Sequence, residues 1–421
     1  MKRRSFIRTT VTAGTLATLP LATLRSSLKE QVQQGSSSSK SYDVIVLGVG
    51  SMGSSACYHL AKRGYSVLGI EQFGIPHERG SHTGQSRIIR KAYFEHPDYV
   101  PLLNRAYDNW SSLEQESGLQ LYYKTGLLYF GQPKHLLIEG VLKSSKLYDI
   151  ELNKIRQQAL IDDYSQFNIP NDYEAYIEPD AGFVIPERSI LTHVQTALQH
   201  GAHINTNEKV LSWNAEGDSI SLKTNKGTYS CKKLVISTGS WLDKGASELL
   251  PELKVTRQIM AWVIPKSWDK FSPDKFPCWT IADHTQGGIF YGFPVLDAGK
   301  FGSPIGLKLA HHYHGPEQNP DNVDHHLDEA EEEKLISFMN RFIPEGYHST
   351  HIQKSCLYTN TSDEHFIVDV LPKNKNVVVA GGFSGHGFKF ASVIGEALAD
   401  LSIQGRSELP IEFLGLSRFS K

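Results

Sequence analysis

An α/β fold built on a Rossmann-like parallel sheet is predicted, and three stretches predict it. Residues 42–47 (YDVIVL) lead into Gly48-Val49-Gly50-Ser51-Met52-Gly53, and residues 233–237 (KLVIS) lead into Thr238-Gly239-Ser240-Trp241. Near the C-terminus, residues 376–380 (NVVVA) lead into Gly381-Gly382-Phe383-Ser384-Gly385-His386-Gly387. Each is a short, β-branched apolar run that ends in a glycine-bearing turn, the composition of a buried parallel strand. Pieces of one sheet thus recur at the start, middle and end of 421 residues, a length that suits two packed domains.

The first stretch is the most informative. After the glycine turn, residues 54–63 show a helix-like pattern with Ala56, Tyr58, Leu60 and Ala61 as packing surface; Gly64 ends it, and residues 66–70 read as a second strand stopping at Glu71. In a dinucleotide site Gly48 allows the tight turn, Gly50 admits a pyrophosphate against the backbone, and Gly53 lets helix pack on strand. The helix N-terminus offers unpaired N–H groups to phosphate. Glu71 stands 21 residues after Gly50, where a carboxylate accepts both ribose hydroxyls, which argues against a 2′-phosphate and for FAD or NAD. A nicotinamide dehydrogenase usually keeps its nucleotide fold contiguous, so the scattered layout favours a flavoprotein. The last strand is expected to give way to a helix through Ser392, Ile394, Ala397 and Leu401.

Composition narrows the class further. The first forty residues hold seven Lys/Arg and one acid, leaving 36 basic against 44 acidic residues in the rest, a net charge of −8. So acidic a body lacks the positive field that nucleic-acid binding needs. Cys57, Cys231, Cys278 and Cys356 form no CxxC pair and no disulfide framework. The run His311-His312-Tyr313-His314 is not read as a metal site, because strand neighbours face opposite sides and no carboxylate completes the set. His325-His326 with residues 328–333 reads as an exposed acidic helix. At the N-terminus, Arg3-Arg4 followed by Phe6-Ile7 and an uncharged stretch to Leu24 resembles a twin-arginine export signal, too short for a comfortable membrane span. A Ser-rich linker closes the segment 1–40; the signal implies a periplasmic or exported mature chain, and a cytoplasmic one if it does not function.

Longer motifs make the reading specific. Gly80-Ser81-His82 with Gln85-Ser86-Arg87-Ile88-Ile89-Arg90 and Ala92-Tyr93 resembles monomeric sarcosine oxidase and N-methyltryptophan oxidase. So do residues 354–358 (KSCLY), 363–369 (DEHFIVD) and 385–390 (GHGFKF), in the same order from about residue 42 to 419. The resemblance implies a D-amino acid oxidase-like fold, with an FAD-binding domain (41–120, 186–252 and 350–421) interleaved with an antiparallel-sheet substrate domain (121–185 and 253–349). It also implies a monomer that oxidises secondary amines of amino acids and reduces oxygen to hydrogen peroxide. Cys356 matches the cysteine bonded to the flavin 8α carbon, and Arg90 and Lys389 match a pair of carboxylate binders. Charges set in the apolar runs RIIR and FKF need an anionic partner. Arg87 resembles an arginine lying over the flavin, and Glu95 a carboxylate that pairs with Arg90 when substrate is absent. Lys308 resembles the oxygen-activating lysine at the flavin edge; Tyr291, His312 and Tyr358 resemble groups around the amine. Ser81, Gly385, Gly387 and Lys389 are implied to touch the cofactor. Two departures stand out: Thr83 replaces a second histidine, and residues 296–305 differ in length and character from the relatives.

Three other readings stay open at this stage. They are a flavin dehydrogenase passing electrons to a quinone or carrier, a non-catalytic nucleotide-binding protein, and a nicotinamide dehydrogenase. Sarcosine, N-methyltryptophan and cyclic imino acids such as pipecolate are all candidate substrates.

Overall fold

A computed structural model describes residues 40–242, 250–313, 315–325 and 329–419. The twin-arginine segment and its linker, His314, His326 and Asp328 lie outside these residues.

The first strand, Lys40–Leu47, pairs in parallel with Val67–Ile70, which pairs in parallel with His203–Asn205. On the other side lie Thr228–Ile236 and the antiparallel Ser219–Thr224 and Val210–Glu216. Val377–Gly381 joins Thr228–Ile236 in parallel, and Ile367–Val370 pairs with it antiparallel, completing eight strands. All three predicted runs therefore meet in one sheet. The middle one is longer than its apolar stretch, because its polar beginning pairs with residues 220–223 as a hairpin. Helices Ser51–Lys62 and Ala391–Gln404 pack face to face over this sheet. A Cβ on Gly395 would sit 2.2 Å from Ser55 Oγ, so the two backbones approach as closely as a glycine allows.

The second sheet also has eight strands, ordered Ser349–Asn360, Lys254–Ile264, Leu307–His312, Ile289–Gly292, Cys278–Ala282, Leu127–Gly131, Glu174–Glu178 and Asn153–Ile155. Its pairings are antiparallel except for Cys278–Ala282 with Leu127–Gly131. The strand Ser349–Asn360 belongs here, paired along its length with Lys254–Ile264, rather than with the nucleotide portion to which the sequence division gave it. A third, three-stranded sheet of Arg87–Ile89, Gly182–Val184 and Tyr122–Lys124 carries the start of the RIIR run.

Two expectations need correction. The first helix begins at Ser51, three residues earlier than its apolar pattern, so its free amides stand directly behind Gly50. The acidic helix is not simply exposed. Glu329–Phe342 buries Leu335, Phe338, Met339 and Phe342 in the second core, and Glu331 meets buried Arg257 at 2.9 Å through both oxygens. Its acidic opening hid an amphipathic second half. Among the described residues, no helix is long and apolar enough to cross a membrane.

Gly48 and Gly53 hold the glycine turn for different reasons. Gly48 has φ +82° and presses on Ser237, while a Cβ on Gly53 would lie 1.8 Å from the Gly48 carbonyl. Gly53→Ala is expected to cost about 3 kcal/mol through this overpacking, read as a lowered urea midpoint; an unchanged midpoint would refute the close packing.

Candidate active site

One cavity of about 510 Å³ opens at the ends of the first-sheet strands and is lined by both sheets. Gly48, Gly50 and Glu71 line one part of it, with Ser81 and Arg87. Arg90, Glu95, Tyr291, His312, Tyr358, Gly385, Gly387 and Lys389 line the rest. Three of the expected residues lie off this wall. Gly53 packs behind the turn, Lys308 stands behind the 84–86 turn, and Cys356 lines a neighbouring pocket of about 150 Å³.

The nucleotide end fits a bound dinucleotide. A Cβ on Gly50 would meet nothing within 4 Å, so the space before the helix N-terminus is free. Glu71, 5% exposed, accepts the amides of Val49 and Phe73 at 3.0 Å on separate oxygens. Each oxygen keeps a lone pair for one hydroxyl. On the same wall Thr238 Oγ1 and His82 Nε2 are buried without a hydrogen-bond partner, the state expected of groups awaiting a polar ligand. Burial, with His77 and Arg87 nearby, pulls His82 down to about 3, so its ring is neutral.

Arg87 donates to the Ser86 carbonyl at 2.9 Å, to Ser81 at 3.0 Å and to Thr83 at 2.6 Å. Position 83 contributes its backbone carbonyl to this contact. The guanidinium faces the cavity.

Opposite lies the cationic clamp. Arg90, 4% exposed, meets both oxygens of Glu95 at 2.7 and 2.8 Å and donates to the Ala92 carbonyl at 3.1 Å. Its guanidinium stacks over Tyr93 and Phe94. Burial opposes the charge on both partners, yet their attraction prevails. With Arg90 foremost, followed by His386 and Lys389, Glu95 is drawn down to about 2, and Arg90 is raised above its ordinary value. Lys389 donates to the His386 carbonyl at 2.7 Å, and burial followed by the Arg90 charge lowers it to about 7. Beside the clamp, His312 Nδ1 lies 3.3 Å from the Tyr358 hydroxyl. Burial lowers His312 and raises Tyr358 well above its ordinary value, which leaves a neutral imidazole and a protonated phenol. His311, on the other strand face, turns to the Gly287 carbonyl at 2.8 Å.

Lys308 is 1% exposed and donates to the Gly84 and Ser86 carbonyls at 2.5 and 2.6 Å. Burial first, then Arg87, lowers it well below its ordinary value. Burial raises the Cys356 thiol, although Arg87 and Lys308 pull the other way.

Sequence reasoning missed Thr280 and Glu208 on the wall and Glu178 behind it, and named Thr238 only as part of a turn. Glu178 is fully buried and accepts the amides of Lys91 and Ala92 and the Tyr129 hydroxyl, which fixes the segment after Arg90. Only Thr238, directly following a predicted strand, carried a visible signal.

A glycine turn, a ribose-directed acid and a buried cationic clamp around one cavity define a flavin-dependent oxidoreductase. The FAD dependent oxidoreductase (DAO) family profile matches residues 43–401. Monomeric sarcosine oxidase of Bacillus sp. (strain NS-129) is 36% identical over 90% of this chain and 97% of its own. N-methyl-L-tryptophan oxidase of Yersinia pestis (strain Pestoides F) is 32% identical over 90% and 99%. Among solved structures, NikD, an unusual amino acid oxidase essential for nikkomycin biosynthesis, superimposes with TM-score 0.79 at 22% identity over 90% of this chain and 98% of its own. L-proline dehydrogenase from P. horikoshii gives 0.76 at 19%, over 91% and 98%. The chain belongs to the FAD dependent oxidoreductase family, in the group of the monomeric sarcosine and N-methyl-L-tryptophan oxidases.

Lys389 sets a pH signature. Acetate bound to the clamp, read from the visible spectrum of the holoenzyme, should weaken as pH rises through about 7, because only the ammonium supplies the second charge. Lys389→Met should flatten this dependence between about pH 6 and 8; an identical slope in the variant would assign the titration elsewhere.

Proposed function

We propose that the protein oxidises N-methyl or other secondary amino acids at the C–N bond, with oxygen as acceptor. The observation that carries this is the pair Arg90 and Lys389, both buried and facing the cavity that the glycine turn enters. FAD, once bound, supplies the two-electron acceptor. Arg90 takes the substrate carboxylate in place of Glu95, and Lys389 adds a point charge. That anchor leaves the amine among Tyr291, His312 and Tyr358, whose neutral ring and protonated phenol bring no anion to hold it as ammonium. The neighbouring cations favour the neutral amine that can lose electrons. Water hydrolyses the resulting imine. An N-methyl amino acid, oxygen and water thus give the amino acid, formaldehyde and hydrogen peroxide. The curated relatives named as sarcosine and N-methyl-L-tryptophan oxidases support this substrate class.

A cysteinyl link from Cys356 to the flavin belongs to the same proposal. It is supported by the position of Cys356 between the main cavity residues Leu357 and Tyr358 and the smaller pocket, where the Arg87 and Lys308 charges offset part of the burial that raises its thiol. A monomeric, exported enzyme is proposed from relatives named monomeric and from Arg3-Arg4.

Oxygen uptake by purified protein, screened over N-methyl and cyclic amino acids, tests the activity. Uptake with stoichiometric peroxide is expected; substrate-driven dye reduction without uptake would transfer the assignment to a dehydrogenase. Arg90→Lys should lower kcat/KM by at least about a hundredfold by removing the bidentate grip. For the link, acid-precipitated wild type should be yellow and Cys356→Ala colourless; colour persisting in the variant would misassign the attachment.

A further inference from the structure

Between Arg87 and Lys308 lies a turn whose middle residue is conformationally out of place. Gln85 has φ +67°, a region that residues with a Cβ seldom enter without cause. It is 5% exposed, and its surroundings hold it on every side. Its amide and that of Gly84 donate to Glu187 Oε1 at 3.1 and 2.8 Å. Its side-chain oxygen accepts from Trp262 Nε1 at 3.0 Å. Its side-chain nitrogen donates to the Gly302 and Pro304 carbonyls at 2.8 and 3.1 Å. Those carbonyls belong to the segment joining Ala298–Phe301 to the strand Leu307–His312. A strained backbone held by so many independent contacts marks a geometry the site requires.

The flanking carbonyls show what is required. Gly84 O and Ser86 O converge on Lys308 Nζ, and Ser86 Oγ stands 3.3 Å from it. The same ammonium lies 4.6 Å from the Phe293 ring centroid and 5.5 Å from that of Trp262, the residue that grips Gln85. Ser86 O also accepts from Arg87 at 2.9 Å, so one carbonyl joins the hidden lysine to the arginine on the cavity wall.

We propose that Gln85 is a positioning residue for Lys308. Its left-handed backbone turns two carbonyls onto one ammonium, and its side chain locks that turn to Trp262 and the 302–304 loop. The proposal rests on reading Lys308 as the cation that serves the oxygen step.

The test separates the two half-reactions of the holoenzyme by stopped flow. Gln85→Leu removes the side-chain hydrogen bonds, and Gln85→Gly removes them while suiting the left-handed backbone, so at least the second is expected to fold. Each should slow reoxidation by oxygen about tenfold and raise the apparent KM for oxygen, while anaerobic reduction by substrate stays within about twofold. In a crystal structure of Gln85→Gly, Lys308 Nζ should leave one of its two carbonyls. Wild-type reoxidation in a folded variant, or equal slowing of both half-reactions, would overturn the proposal. Lys308→Met, measured alongside, keeps the two failures apart. If it reoxidises at the wild-type rate, the reading of Lys308 itself falls. If it is slow while both Gln85 variants are fast, only the role of Gln85 falls.

Discussion

Positive charge held by carbonyl oxygens sets the character of this cavity. On the wall Arg87 is bonded to three backbone carbonyls and Lys389 to one, and one layer behind it Lys308 is bonded to two. A carbonyl dipole steadies a cation without cancelling it, whereas a carboxylate would neutralise the site. Arg90 alone of the four meets a carboxylate directly, that of Glu95. The cavity therefore keeps most of its positive field uncancelled, and the proposed function places a carboxylate and the arriving electrons in that field.

That architecture depends on elements distant in sequence. The chain brings Arg90 from the segment after the small sheet, Lys389 from the approach to the last helix, and Tyr358 from a strand of the second sheet. The strand Ser349–Asn360 is the main link. Its hydrogen bonds belong to the second sheet, yet its C-terminal end places Leu357, Tyr358 and Thr359 on the cavity wall. Gly385 must come within 2.2 Å of the Tyr358 ring if given a Cβ, so the glycine loop and this strand fit only without a side chain between them.

What could be read in the sequence follows the range of the interactions. The glycine turn, Glu71 and the three buried strands are local patterns with local causes, and they emerged nearly as expected. Arg90 and Lys389 were legible because a charge among apolar neighbours violates its local pattern. The position of Lys308 one layer behind the wall was not legible, since it depends on the left-handed Gln85 and on contacts reaching to Glu187, Trp262 and Pro304. Glu178 gave no signal, because an acid at the end of a short strand looks like any exposed residue until the strand is seen beneath the Arg90 segment. The acidic helix misled for the opposite reason, its first turn being more conspicuous than the apolar face that follows.

The last helix shows why Lys389 cannot be a stabilising surface charge. It lies in the turn Phe388–Phe390 that feeds directly into Ala391–Gln404, at the end of the helix where the dipole is positive. Arg90 stands close enough to depress it further, and burial removes the water that would offset both effects. Burial, the Arg90 charge and the helix dipole therefore oppose an ammonium at this position, while Glu95 and the His386 carbonyl relieve part of that opposition. A residue so placed destabilises the empty site and becomes favourable when a second anion enters. A carboxylate that takes Arg90 and faces Lys389 supplies that anion while leaving Glu95 ionised nearby. Under the proposed function, this conflict in the free protein is what an anionic substrate group would relieve.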